Sequence, residues 1–160
     1  MGSLVQIARR LRAFAARLSW FPPALTRLTL GVIFIGTGWG KLHSLEKVTE
    51  FFTQLHIPAP SFNAALVATT ELTCGALLLV GLLARPAAIP LIATMCVALA
   101  TARSGDIEGI RDLFGLQEFD YLVLLIWIAL CGAGTLSADH ALLKATQPRR
   151  VNRQVVGNAE

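Results

Sequence analysis

Residues 65–88, ALVATTELTCGALLLVGLLARPAA, are apolar or small almost throughout, yet Glu71 stands near their middle. A run of this length and composition has the dimensions of a helix crossing the roughly 30 Å hydrocarbon layer of a bilayer. The whole chain agrees: of 160 residues, 54% are hydrophobic and 15% charged, and the mean hydropathy is +0.61. Such proportions do not suit a water-soluble globule. The chain therefore reads as an all-α integral membrane protein, and the carboxylate inside its second apolar run becomes the question to answer.

Four segments have the length of membrane helices, residues 24–41, 62–83, 86–102 and 119–136. The first is read as a span and not a signal peptide, because no A-x-A-like site follows LTLGVIFIGTGWG and three further apolar runs do. Pro86 suits a helix start, and Pro90 should kink the first turns of the third span. Ahead of the first span, Leu4, Ile7, Leu11, Phe14 and Leu18 fall within a stripe about 80° wide at 100° per residue, with Arg9, Arg10, Arg12 and Arg17 off it. Residues 1–20 thus form an amphipathic helix, lying either in the lipid interface or against a partner subunit. Residues 24–139 form the four-helix bundle, and residues 140–160 a basic, flexible tail.

The formal net charge is +4, but the basic residues flank apolar runs and are not interleaved with aromatics, so they mark topology and not nucleic-acid binding. Nine of the loop and terminal Lys and Arg fall on the side of the termini and of Arg85, against four on the other side, which places both termini in the cytoplasm. On the opposite side, Val48, Phe51, Phe52 and Leu55 stand at helical spacing, as an amphipathic turn or two on the outer membrane surface. The loop RSGDIEGIRDLFGLQEFD reads as a connector with one short helical piece. Cys74, Cys96 and Cys131 sit singly in apolar runs and read as buried, inert thiols; no cluster has metal-ligand spacing. His43, His56 and His140 take water-exposed positions, and Trp20 suits the interfacial belt.

Placing a charge at the centre of a spanning helix costs about 2.5–3.5 kcal/mol on insertion scales, so such residues face a bundle interior and find partners. Arg27, Gly31, Gly38 and Lys41 share one face of the first span; Ala64, Ala68, Glu71 and Gly75 share one face of the second. Both faces should be buried against neighbouring helices. By helical rise, Glu71 lies about 13 Å below the outer start of its span, which makes Lys41 its nearer partner and Arg27 a longer reach. Asp139 lies at about the depth of Arg27 and is a candidate ion-pair partner for it. Two readings of Glu71 stand open, a polar lock fixing helix register and a ligand or proton site.

These residues also carry a resemblance. The segments RLTLGVIFIGTGWGKL, FFTQLHIPAP, ATTELTCGALLLVGLLARPAAIPLIATM and GAGTLSAD, over about residues 25–140, are similar to the DoxX-like membrane proteins. The resemblance implies a four-helix membrane bundle in a redox or stress setting, one branch resembling the membrane subunit of thiosulfate:quinone oxidoreductase. It also implies that the family's charged positions fall on Arg27, Lys41, Glu71, Arg85 and Asp139. The chain departs from the family in having His56 where Gly is common, and GAG at 132–134 where Gly-Pro-Gly is common.

The resulting expectation is an inner-membrane accessory or quinone-interacting subunit of a redox system. Arg27, Lys41 and Glu71, with Trp39 and Trp127 nearby, would form the pocket for a non-covalently bound quinone. Its partners would be the bilayer, a redox-enzyme subunit and other copies of itself. No nucleophile–base pair, phosphate loop, dinucleotide fingerprint or haem motif is present, so the sequence assigns no catalytic residue. A non-catalytic anchor or assembly factor, and a small-molecule or proton carrier, are the alternatives.

Overall fold

The computed structural model describes residues 2–107 and 109–132, together with Gly134, residues 137–139 and Lys144; of residues 2–4 and Ala8 it describes the backbone alone. Among these the fold is all-helical: α1 (Gly2–Arg17), α2 (Phe21–His43), α3 (Leu45–Gln54), α4 (Pro60–Val80), α5 (Ala84–Ala100), α6 (Ile110–Leu113) and α7 (Gln117–Cys131). Four long helices pack in sequence, α2 on α4, α4 on α5 and α5 on α7, with a thinner contact from α7 back to α2; α3 lies on α4.

The helix faces are inverted relative to a soluble protein. Large apolar residues such as Val32, Ile89 and Leu130 point outward, at 62%, 63% and 74% exposure, while Arg27 and Glu71 are 5% and 1% exposed. The outward threonines Thr69 and Thr73 donate to the carbonyl four residues back at 2.8 and 2.7 Å, which hides their hydroxyls from an apolar solvent. Among the described residues, α4 and the stretch Val5–His43 that contains α2 are long and apolar enough to cross a membrane; α5, at 17 residues, is shorter.

Small residues set the α2–α4 spacing. A Cβ on Gly38 would lie 2.5 Å from the backbone nitrogen of Leu72, and one on Gly75 would lie 2.9 Å from the backbone nitrogen of Ile35. The two backbones therefore touch almost directly, with Ala64 and Ala68 filling the rest of the seam. Along the same buried face of α4, Leu78 joins Leu30 and Phe34 of α2, Leu91 and Met95 of α5 and Leu125 and Ile128 of α7 in a core of ordinary side-chain thickness.

The expected spans shift at their ends. The second helix runs Pro60–Val80 and stops at Gly81, which takes φ +74. Its N–H meets the Leu77 carbonyl at 2.9 Å and that of Leu82 follows at 3.0 Å, a left-handed helix stop that favours glycine. The fourth helix ends at Cys131, short of the expected residue 136, because Gly132 at φ +86 turns the chain out of the helix. Leu136, His140 and most of the expected tail lie outside the described residues. Helix α5 continues through Pro90 to Ala100. Cys74 is buried, but Cys96 and Cys131 are exposed on outward helix faces, contrary to the expectation of three buried thiols.

Charges tie together the end of the fold formed by the starts of α2 and α5 and the ends of α4 and α7. The Asp139 carboxylate, the expected partner of Arg27, accepts hydrogen bonds from the backbone N–H groups of Leu83 at 2.8 Å and Ala84 at 3.2 Å, capping α5. Arg27 sits beside this cap and feels the Asp139 charge. A side chain at Gly81 would collide with its guanidinium and with Ser137. Arg85 donates to the Cys131 carbonyl at 3.4 Å, placing a cation at the negative end of α7.

Two stability outcomes follow. Gly38→Val forces the α2 and α4 backbones apart and should lower stability in detergent by about 1–3 kcal/mol or more; Gly36→Ala, with nothing within 4 Å of its Cβ, should be neutral or gain up to about 1 kcal/mol. Asp139→Ala removes the α5 cap and should cost about 0.5–2 kcal/mol, read as a lowered Tm, with Asp139→Asn retaining part of the loss.

Candidate functional site

Glu71 and Lys41 meet because of where antiparallel helices aim their side chains. The contacts of Gly31 with Leu79, Gly75 with Phe34 and Gly38 with Ala68 and Leu72 put Lys41 near the level of Ala68, about one helical turn from Glu71. Side chains lean toward the N-terminus of their own helix. Lys41 on α2 therefore leans into the bundle, and Glu71 on α4 leans out toward it. Lys41 Nζ donates to Glu71 Oε1 at 2.5 Å, with the side chains 32% and 1% exposed. The other carboxylate oxygen, Glu71 Oε2, is buried with no hydrogen-bond partner among the described residues.

The pair stands in the wall of a cavity of about 1110 Å³, bounded by α2, α3, α4, α5 and α7. Phe34, Leu66, Val67, Met95 and Ala98 supply apolar wall, and Tyr121 lines it from α7. Val48, Phe51, Phe52 and Leu55 of α3 also line it. The apolar face expected to rest on the outer membrane surface thus lines this space, with none of its residues fully buried. At the mouth, Arg103 donates to Glu118 at 2.9 Å and to Asp106 at 3.3 Å. The hydrogen bond to Glu118, the larger influence, and the neighbouring acidic charges raise the Arg103 pKa above its ordinary value. Glu118 Oε2 is a second buried carboxylate oxygen without a hydrogen-bond partner among the described residues.

Of the residues expected at the pocket, only Lys41 and Glu71 line it. Arg27 belongs to the opposite end, beside Gly81 and Asp139. Trp39 is 58% exposed and stacks on His43 at 4.5 Å, and Trp127 packs against the α5–α7 core. Helical periodicity puts a residue on a face, but Trp39 lies two residues from Lys41, about 200° around the helix, and so faces away from it.

Three lining residues escaped the sequence reading: Tyr121, Glu118 and His56. His56 carried a signal, the departure from glycine. It adopts φ +56 at the end of α3, where Ile57 N–H bonds back to Phe52 at 3.0 Å. A non-glycine residue in that conformation costs about 1–2 kcal/mol. Among the described residues, no group of three or more His, Cys, Asp or Glu is arranged to hold a metal.

Comparison with known proteins places the chain in a lineage. A family model described as DoxX matches residues 23–104. "Uncharacterized membrane protein Rv3486" of Mycobacterium tuberculosis is 31% identical over 136 residues, 77% of this chain and 83% of its own length. "Putative oxidoreductase CatD" of Bacillus subtilis is 32% identical over 130 residues, 80% of this chain and 92% of its own. "Inner membrane protein YqjF" of Escherichia coli is 24% identical over 120 residues, 75% and 91%. No solved structure matches significantly. With its inverted helix faces, its α2–α4 seam and these relatives, the chain belongs to the DoxX family of membrane proteins.

Proposed function

We propose that the chain is an inner-membrane, quinone-interacting accessory subunit of a redox or stress-response system. It is built as a four-span bundle with both termini cytoplasmic and α1 lying in the lipid interface. The short α5 and α7, about 25 and 22 Å long by helical rise, are accommodated by local thinning of the bilayer. The observation that carries the reading is the cavity of about 1110 Å³ with a mostly apolar wall and the Lys41–Glu71 pair set into it. Apolar pockets with a few placed polar groups are the usual form of a small-molecule site. The name of the Bacillus subtilis relative contributes the word oxidoreductase.

A quinone-class ligand suits these residues. Lys41 uses one N–H on Glu71 Oε1, leaving ammonium donors for a ligand carbonyl. Glu71 Oε2, buried and unmet, offers an acceptor for a ligand hydroxyl or a place to hold a proton. When bound, a quinone would supply two ring oxygens that pass between acceptor and donor as it carries electrons and protons. Tyr121, partly buried and in edge contact with the core residue Phe34 at 6.0 Å, gives a ring a surface to pack on. The partner redox subunit and self-association belong to the same proposal.

Anchoring or assembly of a partner draws on a different observation, the exposure of Ile7, Leu11, Phe14 and Leu18 along α1 opposite its arginines. The side chain of Leu4, expected on that stripe, lies outside the described residues. If anchoring is the whole role, deleting residues 1–19 abolishes function and Glu71→Gln is mild.

Under the quinone reading, organic extraction of the purified protein yields quinone, and Ala98→Trp, which fills the cavity without touching the pair, abolishes its retention while leaving Tm near wild type. Absence of quinone from the wild-type extract, with an unchanged redox phenotype in Glu71→Gln, would sink it. The pair itself is open to a double-mutant cycle. Lys41→Met strands a buried carboxylate and should cost about 3–5 kcal/mol, whereas Lys41→Met combined with Glu71→Leu should recover most of that loss.

A further inference from the structure

We infer that the cavity prefers the reduced, hydroxyl-bearing form of its ring ligand, a lipid-soluble diphenol, over the corresponding dione; this rests on the quinone-class reading above. The observation is the kind of hydrogen-bonding capacity left over. Two residues that line the cavity, Glu71 and Glu118, each hold a buried carboxylate oxygen, Oε2, with no hydrogen-bond partner among the described residues, and carboxylate oxygens accept and cannot donate.

The cations of the same wall are better served. Lys41 is bonded to Glu71 and its side chain is 32% exposed, so water can meet its remaining N–H groups; Arg103 is 44% exposed and bonds to both Glu118 and Asp106. Glu71, at 1% exposure, has no such recourse. An unmet buried acceptor carries its full desolvation cost, and a phenolic O–H removes that cost while forming a bond to a charged group. A carbonyl oxygen brought to the same place adds repulsion between two acceptors. Because each carboxylate already has a cation, the wall gains nothing further from an unpaired cationic ligand. The hydroxyl, neutral and donating, is the group that fits both the charge balance and the missing bond. The arrangement also places one such acceptor within the bundle and the other at its mouth, next to the start of α7.

The test uses the full chain reconstituted in lipid nanodiscs under anaerobic conditions. Equilibrium binding is measured for decyl-hydroquinone, for the matching decyl-benzoquinone, and for the hydroquinone's dimethyl ether, which keeps the ring and loses both donors. Hydrogen bonds to charged groups predict that the hydroquinone binds about tenfold to a hundredfold tighter than either of the others. Glu71→Gln, whose amide both donates and accepts, should bring the hydroquinone-to-quinone ratio close to one. Glu118→Gln, at the more exposed mouth, should lower the ratio less and serves if Glu71→Gln folds poorly. Equal or tighter binding of the quinone overturns the inference and leaves the quinone-class site standing. So does a dimethyl ether that binds as well as the hydroquinone. If none of the three probes binds, the preference and the site fall together.

Discussion

The close approach of α2 and α4 governs the rest of the structure. Glycine at 38 and 75 and alanine at 64 and 68 let the two backbones touch, and a seam made of small residues buries little apolar area of its own. The large side chains of these helices must then go elsewhere, to the core shared with α5 and α7 or outward, where Val32 and Val80 stand exposed. An outward surface of that kind is tolerable only in an apolar solvent. The seam also sets the register in which Lys41 and Glu71 lean toward each other, so the same contact that makes the chain a membrane protein positions its buried ion pair.

The two ends of the helix assembly treat charge differently. At one, Asp139 caps α5 and Arg85 meets the last carbonyl of α7, so charged side chains serve helix ends that would otherwise leave backbone groups unmet. These contacts draw α4, α5 and α7 together. At the other end α2, α3, α4, α5 and α7 all line the cavity, and Glu71 and Glu118 each hold a buried carboxylate oxygen with no hydrogen-bond partner among the described residues. One end is tied and the other holds the cavity. Ligand chemistry belongs where the polar groups are incompletely met, since a satisfied network has nothing left to offer.

Much of this was legible in the sequence because helical periodicity is a local rule. The shared faces of Arg27, Gly31, Gly38 and Lys41 and of Ala64, Ala68, Glu71 and Gly75 are the faces buried in the structure, apart from the partly exposed Lys41, and helical rise alone favours Lys41 over Arg27 as the partner of Glu71. Periodicity does not say which apolar medium a face meets. The stripe of α3 could rest on lipid or close a cavity, and only the chain's path between α2 and α4 decides it. Nor does sequence reveal a cap supplied from 55 residues away, so the bonds of Asp139 to the backbone of Leu83 and Ala84 were not legible beside its expected pairing with Arg27. Trp39 and Trp127 were placed at the site by residue type, which is a weaker guide than their angular positions on α2 and α7.

Whether Glu71 is a lock or a ligand group is not a choice between exclusive roles, but energetics weigh on it. A seam this tight does not need a charge to hold it: buried ion pairs replaced by well-packed apolar residues often leave a protein equally or more stable. A lock would be strongest with both carboxylate oxygens bonded, because each unmet buried acceptor subtracts about 1–3 kcal/mol from what the pair contributes. Glu71, a residue of the cavity lining, instead bonds Lys41 through Oε1 and leaves Oε2 buried with no hydrogen-bond partner among the described residues. An arrangement that costs stability as it stands, and would recover it when a donor enters the cavity, is an arrangement suited to binding. The small-residue seam fixes the register of α2 against α4, and the Lys41–Glu71 pair is what that register holds in place.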